Sequence, residues 1–159
     1  MRFPILGAAA ALLFAPGAAR AQAPADEHAI VVPANSENWT PAPAVLPAGA
    51  RLAVVEGDPS KPGSYTMRLW MPDGYRIPPH FHSAPEHVTV LKGTFLVGMG
   101  DQFDGSKLSP LAPGSFGMIP PGMHHFAQAK GEVVIQLHGT GPWTLTYVNP
   151  ADAPGAARK

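Results

Sequence analysis

The sequence predicts an all-β domain built as a sandwich or a barrel. Its 159 residues include 20 prolines and 17 glycines, which interrupt the chain too often for long helices. Between them lie short runs of strand-like composition, each bounded by turn residues. A chain of this length buries one hydrophobic core, so a single domain is expected.

The predicted strands follow one another at short intervals after residue 50. Turn residues separate them, among them Asp73-Gly74, Lys92-Gly93 and Pro113-Gly114. Short strands at this spacing are typical of sandwiches and barrels. The predicted strands cover residues 51–56, 64–71, 86–91, 94–100, 115–119, 124–129, 133–139 and 144–148.

The composition excludes several kinds of chemistry. The chain has no cysteine, so it offers no disulfide, no thiol nucleophile and no thiolate ligand. Charged residues make up only 14% and the formal net charge is +0, so we expect no basic surface for nucleic acid. Stability therefore has to come from packing and sheet closure.

Residues 1–21 have the pattern of a secretory signal peptide. Arg2 gives a short positive start, residues 5–14 form an apolar run, and residues 19–21 end it in a small-x-small pattern, with cleavage after Ala23 as the alternative. The apolar run is shorter than the roughly 20 residues that span a bilayer, so no membrane anchor is expected. The start carries no Arg-Arg pair, which indicates the general secretory route. We expect a periplasmic or secreted protein.

Residues 22–50 predict an extended arm rich in alanine and proline. It has too little apolar surface to fold alone, and its prolines keep it extended. We expect the arm, or an edge strand, to pair with a neighbouring copy, giving a homodimer. The barrel itself is predicted to cover residues 51–148, followed by a tail, residues 149–159.

A candidate metal site begins with three residues of the same parity. His80, His82 and Glu86 all lie at even positions, and on an extended backbone alternate side chains point to the same side. Two imidazoles and a carboxylate would then converge. A further ligand is available downstream, where a Pro-Pro-Gly turn precedes His124 and His125. Only one of these two adjacent histidines can point inward, because their parity is opposite.

The first of these stretches resembles the first signature motif of the cupin superfamily. It reads Gly74, five residues, His80-x-His82, three residues, Glu86, six residues, Gly93. In cupins the two histidines and the glutamate of this motif bind a metal. The resemblance therefore implies these roles for His80, His82 and Glu86.

The second stretch resembles the second cupin motif. It reads Gly114, five residues, Pro120-x-Gly122, two residues, His125, and the family's motif places a metal-binding histidine at the last of these positions. The resemblance thus favours His125 over His124. Ala129 stands where the family usually has an asparagine, which is not a ligand. Together the motifs imply a cupin-type jelly-roll β-barrel, preceded here by the extended N-terminal arm.

Imidazole nitrogens and a carboxylate oxygen suit one divalent transition metal per chain. Fe, Mn, Zn, Ni and Cu all accept such ligands at about 2.0–2.2 Å. Four protein ligands leave one or two positions open on a five- or six-coordinate ion, where substrate or O₂ would bind. The sequence does not choose among these ions.

Other polar residues are candidates for the pocket wall around this site. Gln136 and His138 alternate with apolar residues, so they share one face of a late strand, which is either the barrel interior or the solvent face. Four further candidates could supply an acid, a cation or an aromatic wall: Tyr65, Arg68, Tyr75 and Trp143.

Two kinds of function are compatible with these residues. The resemblance implies a metal-dependent enzyme acting on a small organic substrate, and the carboxylate with imidazoles favours a dioxygenase-like oxidoreductase over a lyase, decarboxylase or isomerase. The alternative is a non-catalytic periplasmic protein that binds a metal or a small ligand. No general base is identifiable, and one fold carries many chemistries.

Overall fold

The computed structural model describes residues 29–156. The predicted signal peptide, the first seven residues of the predicted arm and the last three residues of the tail lie outside the described residues. The described part contains nine β-strands and two short 3-10 helices, Gly105–Lys107 and Pro150–Asp152. The strands are β1 Thr40–Pro41, β2 Arg51–Glu56, β3 Gly63–Met71, β4 Arg76–Phe81, β5 Glu86–Met99, β6 Ser109–Leu111, β7 Phe116–Ile119, β8 His125–Gly141 and β9 Thr146–Tyr147.

The strands form one curled antiparallel sheet shaped as a half-barrel. Its order is β1-β2-β3-β8-β4-β9, and β5 adds to β8 along its length while pairing on its other edge with β6 and β7. The predicted all-β fold is confirmed. Within the described residues no helix is long and apolar enough to cross a membrane.

The concave face of the sheet carries the hydrophobic core. Alternate residues of β3 and β8 are almost fully buried, as the period of two in a strand requires. Burial of each large side chain stabilises the fold by about 1.5–3 kcal/mol relative to exposure. The large apolar residues that these two strands turn inward are Tyr65, Met67, Leu69, Met71, Val133, Ile135 and Leu137.

β5 and β8 are longer than the sequence predicts. Lys92-Gly93 was expected to end a strand, but Gly93 has a φ of 76° and lies inside β5, where the register with β8 shifts. A Cβ on Gly93 would meet the carbonyl oxygen of Glu132 at 2.2 Å, so glycine is required there. Gly131 likewise lies inside β8 with a φ of 73°. Each predicted pair of strands is therefore one strand with a bulge.

Pattern alone does not predict β4, because two prolines occupy its centre. Pro78 and Pro79 lack the N–H groups that a ladder needs, and the register with β8 shifts between Ile77 and His80. Pairing resumes at His80, which faces His125 of β8 and Tyr147 of β9. The strand thus delivers His80 to the concave face despite its composition.

The described part of the arm lies against the barrel. Thr40 and Pro41 pair with β2, and Leu46 is buried in the core. Glu37 forms an ion pair with Arg68 on β3. The boundary between arm and barrel at residue 50 stays a prediction.

Candidate metal centre

Three histidines meet on the concave face of the half-barrel. His80 lies in β4, His82 directly follows that strand, and His125 opens β8, where it is the register partner of His80. All three are at most 3% exposed. One ring nitrogen of each lies within 4.8 Å of the others, and this group could hold a metal ion.

The backbone fixes which nitrogen of each ring is free. In all three rings Nδ1 lies within hydrogen-bond distance of a main-chain carbonyl, which only accepts. Each Nδ1 of a neutral ring therefore carries the proton and donates, leaving the lone pair on Nε2. The accepting oxygens belong to Pro78 for His80, at 2.8 Å, to Thr144 for His82, at 2.6 Å, and to Met123 for His125, at 3.0 Å.

Glu86, the first residue of β5, brings a carboxylate to the same place. Its Oε1 lies 3.4 Å from Nε2 of His82, and its Oε2 lies 3.3 Å from Nε2 of His125. Burial raises the pKa of this carboxyl group, but the imidazoles of His125 and His82 outweigh burial and hold the pKa well below its usual range. Glu86 is therefore an anion in a buried site.

Glu86 does not reach the site along the continuous extended backbone that parity reasoning assumed. β4 ends at Phe81, and the chain bends through Ser83 and Ala84 before β5 begins. The even parity of His82 and Glu86 is therefore incidental across this loop. The pairing of β5 with β7 and β8 is what places the carboxylate.

The charge states of the rings differ within the cluster. Burial and the neighbouring His125 and His82 lower the pKa of His80 to about 3, so His80 is neutral at physiological pH. For His82, burial acts to lower the pKa, but Glu86 outweighs it and the net shift is upward. A neutral ring is the form that ligates a metal.

The donor set fits a divalent transition metal. Nε2 of His82 is buried and has no hydrogen-bond partner. With neutral rings, the Nε2 lone pairs face the oxygens of Glu86, and acceptors this close repel unless a proton or a cation lies between them. One cation bound to three nitrogens and one carboxylate would satisfy all of these atoms.

His124 points away from this cluster. Its side chain is 36% exposed, and Nδ1 lies 2.7 Å from Oδ1 of Asp101. Of the two adjacent histidines, the structure therefore brings His125 into the group and leaves His124 at the surface. The ligand role of His125 itself stays a prediction.

Of the predicted wall residues, only Trp143 lines the cavity beside the histidines. Its ring stacks on His82 with a centroid distance of 5.1 Å, and its Nε1 is buried without a partner. Tyr65 lies in the core, where burial and then the charge of Glu86 raise its pKa to about 12. Tyr75 is also in the core, and its hydroxyl donates to the carbonyl of Pro47 at 2.5 Å.

Arg68, Gln136 and His138 lie on the opposite face of the sheet and do not line this cavity, so for Gln136 and His138 the solvent face is the one the structure shows. They alternate with the buried residues of β3 and β8 and therefore point outward. Arg68 pairs with Glu37 and donates to Gln136 at 3.2 Å. His138 stacks on His87 with a centroid distance of 5.0 Å.

The rest of the cavity wall is apolar, and the sequence analysis does not place most of its residues there. The space beside the histidines has a volume of about 20 Å³. Register is the signal that could have found these residues, because side chains opposite Glu86 and His125 in paired strands share their face. The wall includes Leu46, Leu52, Ile77, Phe95, Val97, Ile119 and Leu145.

The half-barrel and its buried histidine cluster define a small protein of the cupin superfamily. The chain belongs to the ChrR cupin-like domain family, which matches residues 27–144. The family agrees with the predicted jelly-roll fold, which is confirmed. A comparison with curated proteins gives no match.

Solved structures with the same fold come from several bacteria. A putative acetylacetone dioxygenase from Methylibium petroleiphilum is 20% identical, with 82% of this chain and 88% of that chain covered and a TM-score of 0.60. The polyketide cyclase RemF from Streptomyces resistomycificus is 17% identical, with coverages of 66% and 75% and a TM-score of 0.55. A salicylate 1,2-dioxygenase from Pseudoaminobacter salicylatoxidans, in complex with gentisate, is 14% identical, with coverages of 65% and 30% and a TM-score of 0.52.

Proposed function

We propose that this protein is a metal-dependent enzyme of dioxygenase type that acts on a small organic substrate. The observation that carries the proposal is the convergence of three buried Nε2 atoms and one buried carboxylate beside an apolar wall. Buried imidazoles and an anion are costly to desolvate unless they are paired or bind a cation. A bound cation would offset the free energy of desolvating these buried groups, as expected for a metal site.

His80, His82, Glu86 and His125 would hold the ion. When bound, a redox-active metal with open positions supplies the electron transfer that lets O₂ react with an organic molecule. The chain's own residues orient the ligands through three carbonyl acceptors. They also exclude water from the site with apolar side chains, which strengthens electrostatic interactions inside it.

Two of the structures with this fold are named as dioxygenases, which supports an oxidative reaction. RemF is named as a polyketide cyclase, so the same fold also serves a different chemistry. These likenesses are likenesses of fold. An assay of O₂ consumption tests the reaction type.

The assay combines metal analysis with O₂ consumption. Purified protein loaded with Fe(II), Mn(II), Ni(II), Cu(II) or Zn(II) is tested against phenols, β-diketones and keto acids, with His125→Ala as the inactive variant and His138→Ala as the matched control. We expect O₂ uptake that depends on one substrate class and one redox-active ion and that disappears only in His125→Ala. Metal binding without O₂ uptake for any substrate would contradict the dioxygenase proposal.

A second candidate is a non-catalytic protein that binds a metal or small ligand. It is favoured by one observation: apart from the proposed ligands and Trp143, the residues described around the cavity are apolar, so none can act as a general base. This candidate predicts a bound metal that is retained, with no turnover on the substrate panel or on lyase and isomerase substrates.

We further propose that residues 1–21 export the protein to the periplasm or beyond the cell. Fractionation of cells that express the full chain would detect a shortened product outside the cytoplasm, whereas a chain lacking residues 1–21 would stay inside. Recovery of both forms in the cytoplasm would contradict export. Exported protein is expected to contain mostly zinc or copper, since affinity for nitrogen and oxygen ligands is highest for copper and remains high for zinc.

A further inference from the structure

The space beside the histidines is too small for an organic substrate. Its volume of about 20 Å³ holds an ion or a water molecule, because one water needs about 10–15 Å³ by this measure. Ligand sites for small molecules usually measure roughly 300–1,000 Å³. A substrate that reacts at the cluster must therefore extend into a neighbouring space.

A groove of about 400 Å³ adjoins the cluster and has the required size. Phe95, Val97 and Ile119 line both the groove and the histidine cavity, so the two spaces share a wall. Register confirms that they lie on one face, because Ile119 pairs with Glu86. In the same way Phe95 pairs with Leu111 of β6, which also lines the groove.

The groove is apolar and open to solvent. Met99 borders it while remaining 47% exposed, although exposing a long apolar side chain to water costs free energy. The polar side chains that reach it are Lys107 and Ser109, and Lys107 is already close to Asp104, at 3.9 Å. A charged ligand would find one cation at its edge, and an apolar ligand would contact nearly all of its wall.

We propose that this groove binds the apolar part of the substrate while its oxygen-bearing end lies at the histidine cluster. The inference rests on the proposed function and specifies its substrate class: a compound with a small polar head and an alkyl or aryl tail. The shared lining residues, the size and the wall chemistry all favour this occupant over a second copy of the chain.

Gly117 offers a way to fill the groove without disturbing the sheet. It pairs with Val88 in β7, its φ is not in the left-handed region, and a Cβ added there would meet no atom within 4 Å. A leucine at this position would project into the groove. Gly105 provides the matched control, because a Cβ there also meets nothing and the residue does not line the groove.

The test measures how binding depends on the length of the apolar tail. The probes are straight-chain hydroxamic acids from acetohydroxamic to octanohydroxamic acid, which present a metal-binding head, titrated calorimetrically into zinc-loaded full-length protein. In the native protein we expect Kd to fall by about two- to fourfold for each methylene, as for partial to full burial. In G117L this gain should disappear while acetohydroxamic acid binds as before, and G105L should behave as the native protein.

Several outcomes would overturn the groove. They are a Kd independent of tail length in the native protein, or G117L retaining the gain while its near-ultraviolet circular dichroism shows a native fold. S109D, at an exposed position that lines the groove and pairs with Val97, gives a second variant that should weaken only the long probes. A change from dimer to monomer in G117L, seen by sedimentation, with unchanged probe binding would make the groove an interface between copies instead.

The same series separates this inference from the proposed function. Failure of acetohydroxamic acid to bind the native protein would contradict the metal site. In that case the groove is tested by measuring the binding of 1-alkanols from butanol to octanol, which need no metal. Length-dependent binding that G117L removes would support the groove alone, and its absence would overturn it.

Discussion

Two groups of histidines occupy opposite faces of the same sheet. On the concave face, His80, His82 and His125 surround a carboxylate, and each Nδ1 is held by a main-chain carbonyl. On the convex face, His87 and His138 stack at 5.0 Å with an angle of 17° between the rings. Neither of the convex rings pairs with a carboxylate within the part of the chain that the structure describes.

The two groups are both close pairs or clusters of rings, but the fold prepares only the concave group for a metal. His87 and Glu86 are neighbours in β5, yet the alternation of the strand sends one to each face. The concave group has fixed tautomers and an anion, whereas Nδ1 of His87 is buried with no partner to fix its tautomer. Backbone acceptors and a shared charge are what prepare a ring to bind a metal.

The largest difference between the two faces should appear in metal affinity. His125→Ala removes one of four proposed ligands and is expected to weaken binding by on the order of 100-fold or more, since loss of supporting contacts alone costs about 10–100-fold. His138→Ala, on the convex face, should change affinity less than twofold. Competition with a chromogenic chelator measures both. Equal losses in the two variants would remove the distinction between the faces.

Removal of the metal should destabilise the native protein and leave His125→Ala almost unchanged. A ligand that binds only the folded state at 100 times its Kd stabilises the fold by about 2.7 kcal/mol. For a chain of this size that corresponds to a shift in Tm of roughly 5–10 °C. Differential scanning calorimetry with and without EDTA gives the shift. An unchanged Tm in the native protein would show that the site is not occupied.

Acid should destabilise the metal-free protein through the buried, neutral ring of His80. The pKa of His80 is about 3 in the folded protein and 6.5 ordinarily. Between pH 3 and pH 6.5 the ring is therefore protonated in the unfolded chain and neutral in the folded protein. Stability therefore falls as the pH drops from 6.5 to 3, by at most about 1.4 kcal/mol per pH unit. Below 4.5 Glu86, whose pKa is lowered, adds a loss in the same direction.

The raised pKa of His82 affects stability in a different pH range. Its contribution is fully present below pH 6.5 and is lost as the pH rises through its folded pKa, so it does not mask the acid slope. Urea unfolding between pH 6.5 and 4.5 tests this, with His80→Asn expected to flatten the slope and His138→Asn as the control. A slope that persists in His80→Asn would assign the effect to other groups.

The smallest effect is expected at the surface histidine next to the cluster. His124→Ala removes an exposed pair with Asp101, worth about 0–1 kcal/mol, and should leave metal content intact. Elemental analysis compares it with His125→Ala. If His124→Ala lost the metal instead, the ligand role would belong to His124.

The sequence predicted most of the strands and the four residues of the cluster. It predicted the residues that surround the cluster less well. Two motifs, each with its own short-range spacing, gave the candidates: the first gave His80, His82 and Glu86, and the second gave His125. β4 was missed since Pro78 and Pro79 argue against a strand, and only tertiary pairing with β8 and β9 overrides them. Local propensity cannot report such pairing.

The face of a strand was harder to predict than its position. Gln136 and His138 were left between interior and solvent, and the structure places them outside because the alternate residues fill the core. Arg68 is polar and close in sequence to core residues, but it belongs to the outward set of β3. Which set faces inward depends on what the other strands bury, and that information is not local.

The cluster joins proposed ligands that are near in the chain with one that is distant. His80, His82 and Glu86 span seven residues, whereas His125 reaches them only when β4 pairs with β8. An unfolded chain can therefore retain a weakly held ion on the local three, which reduces the stabilisation gained from binding. His125 can complete the site only after β4 pairs with β8, and such long-range strand pairing is slow in sheet topologies. Refolding with metal present should hence accelerate little, because the ion joins a chain that still has to form its sheet.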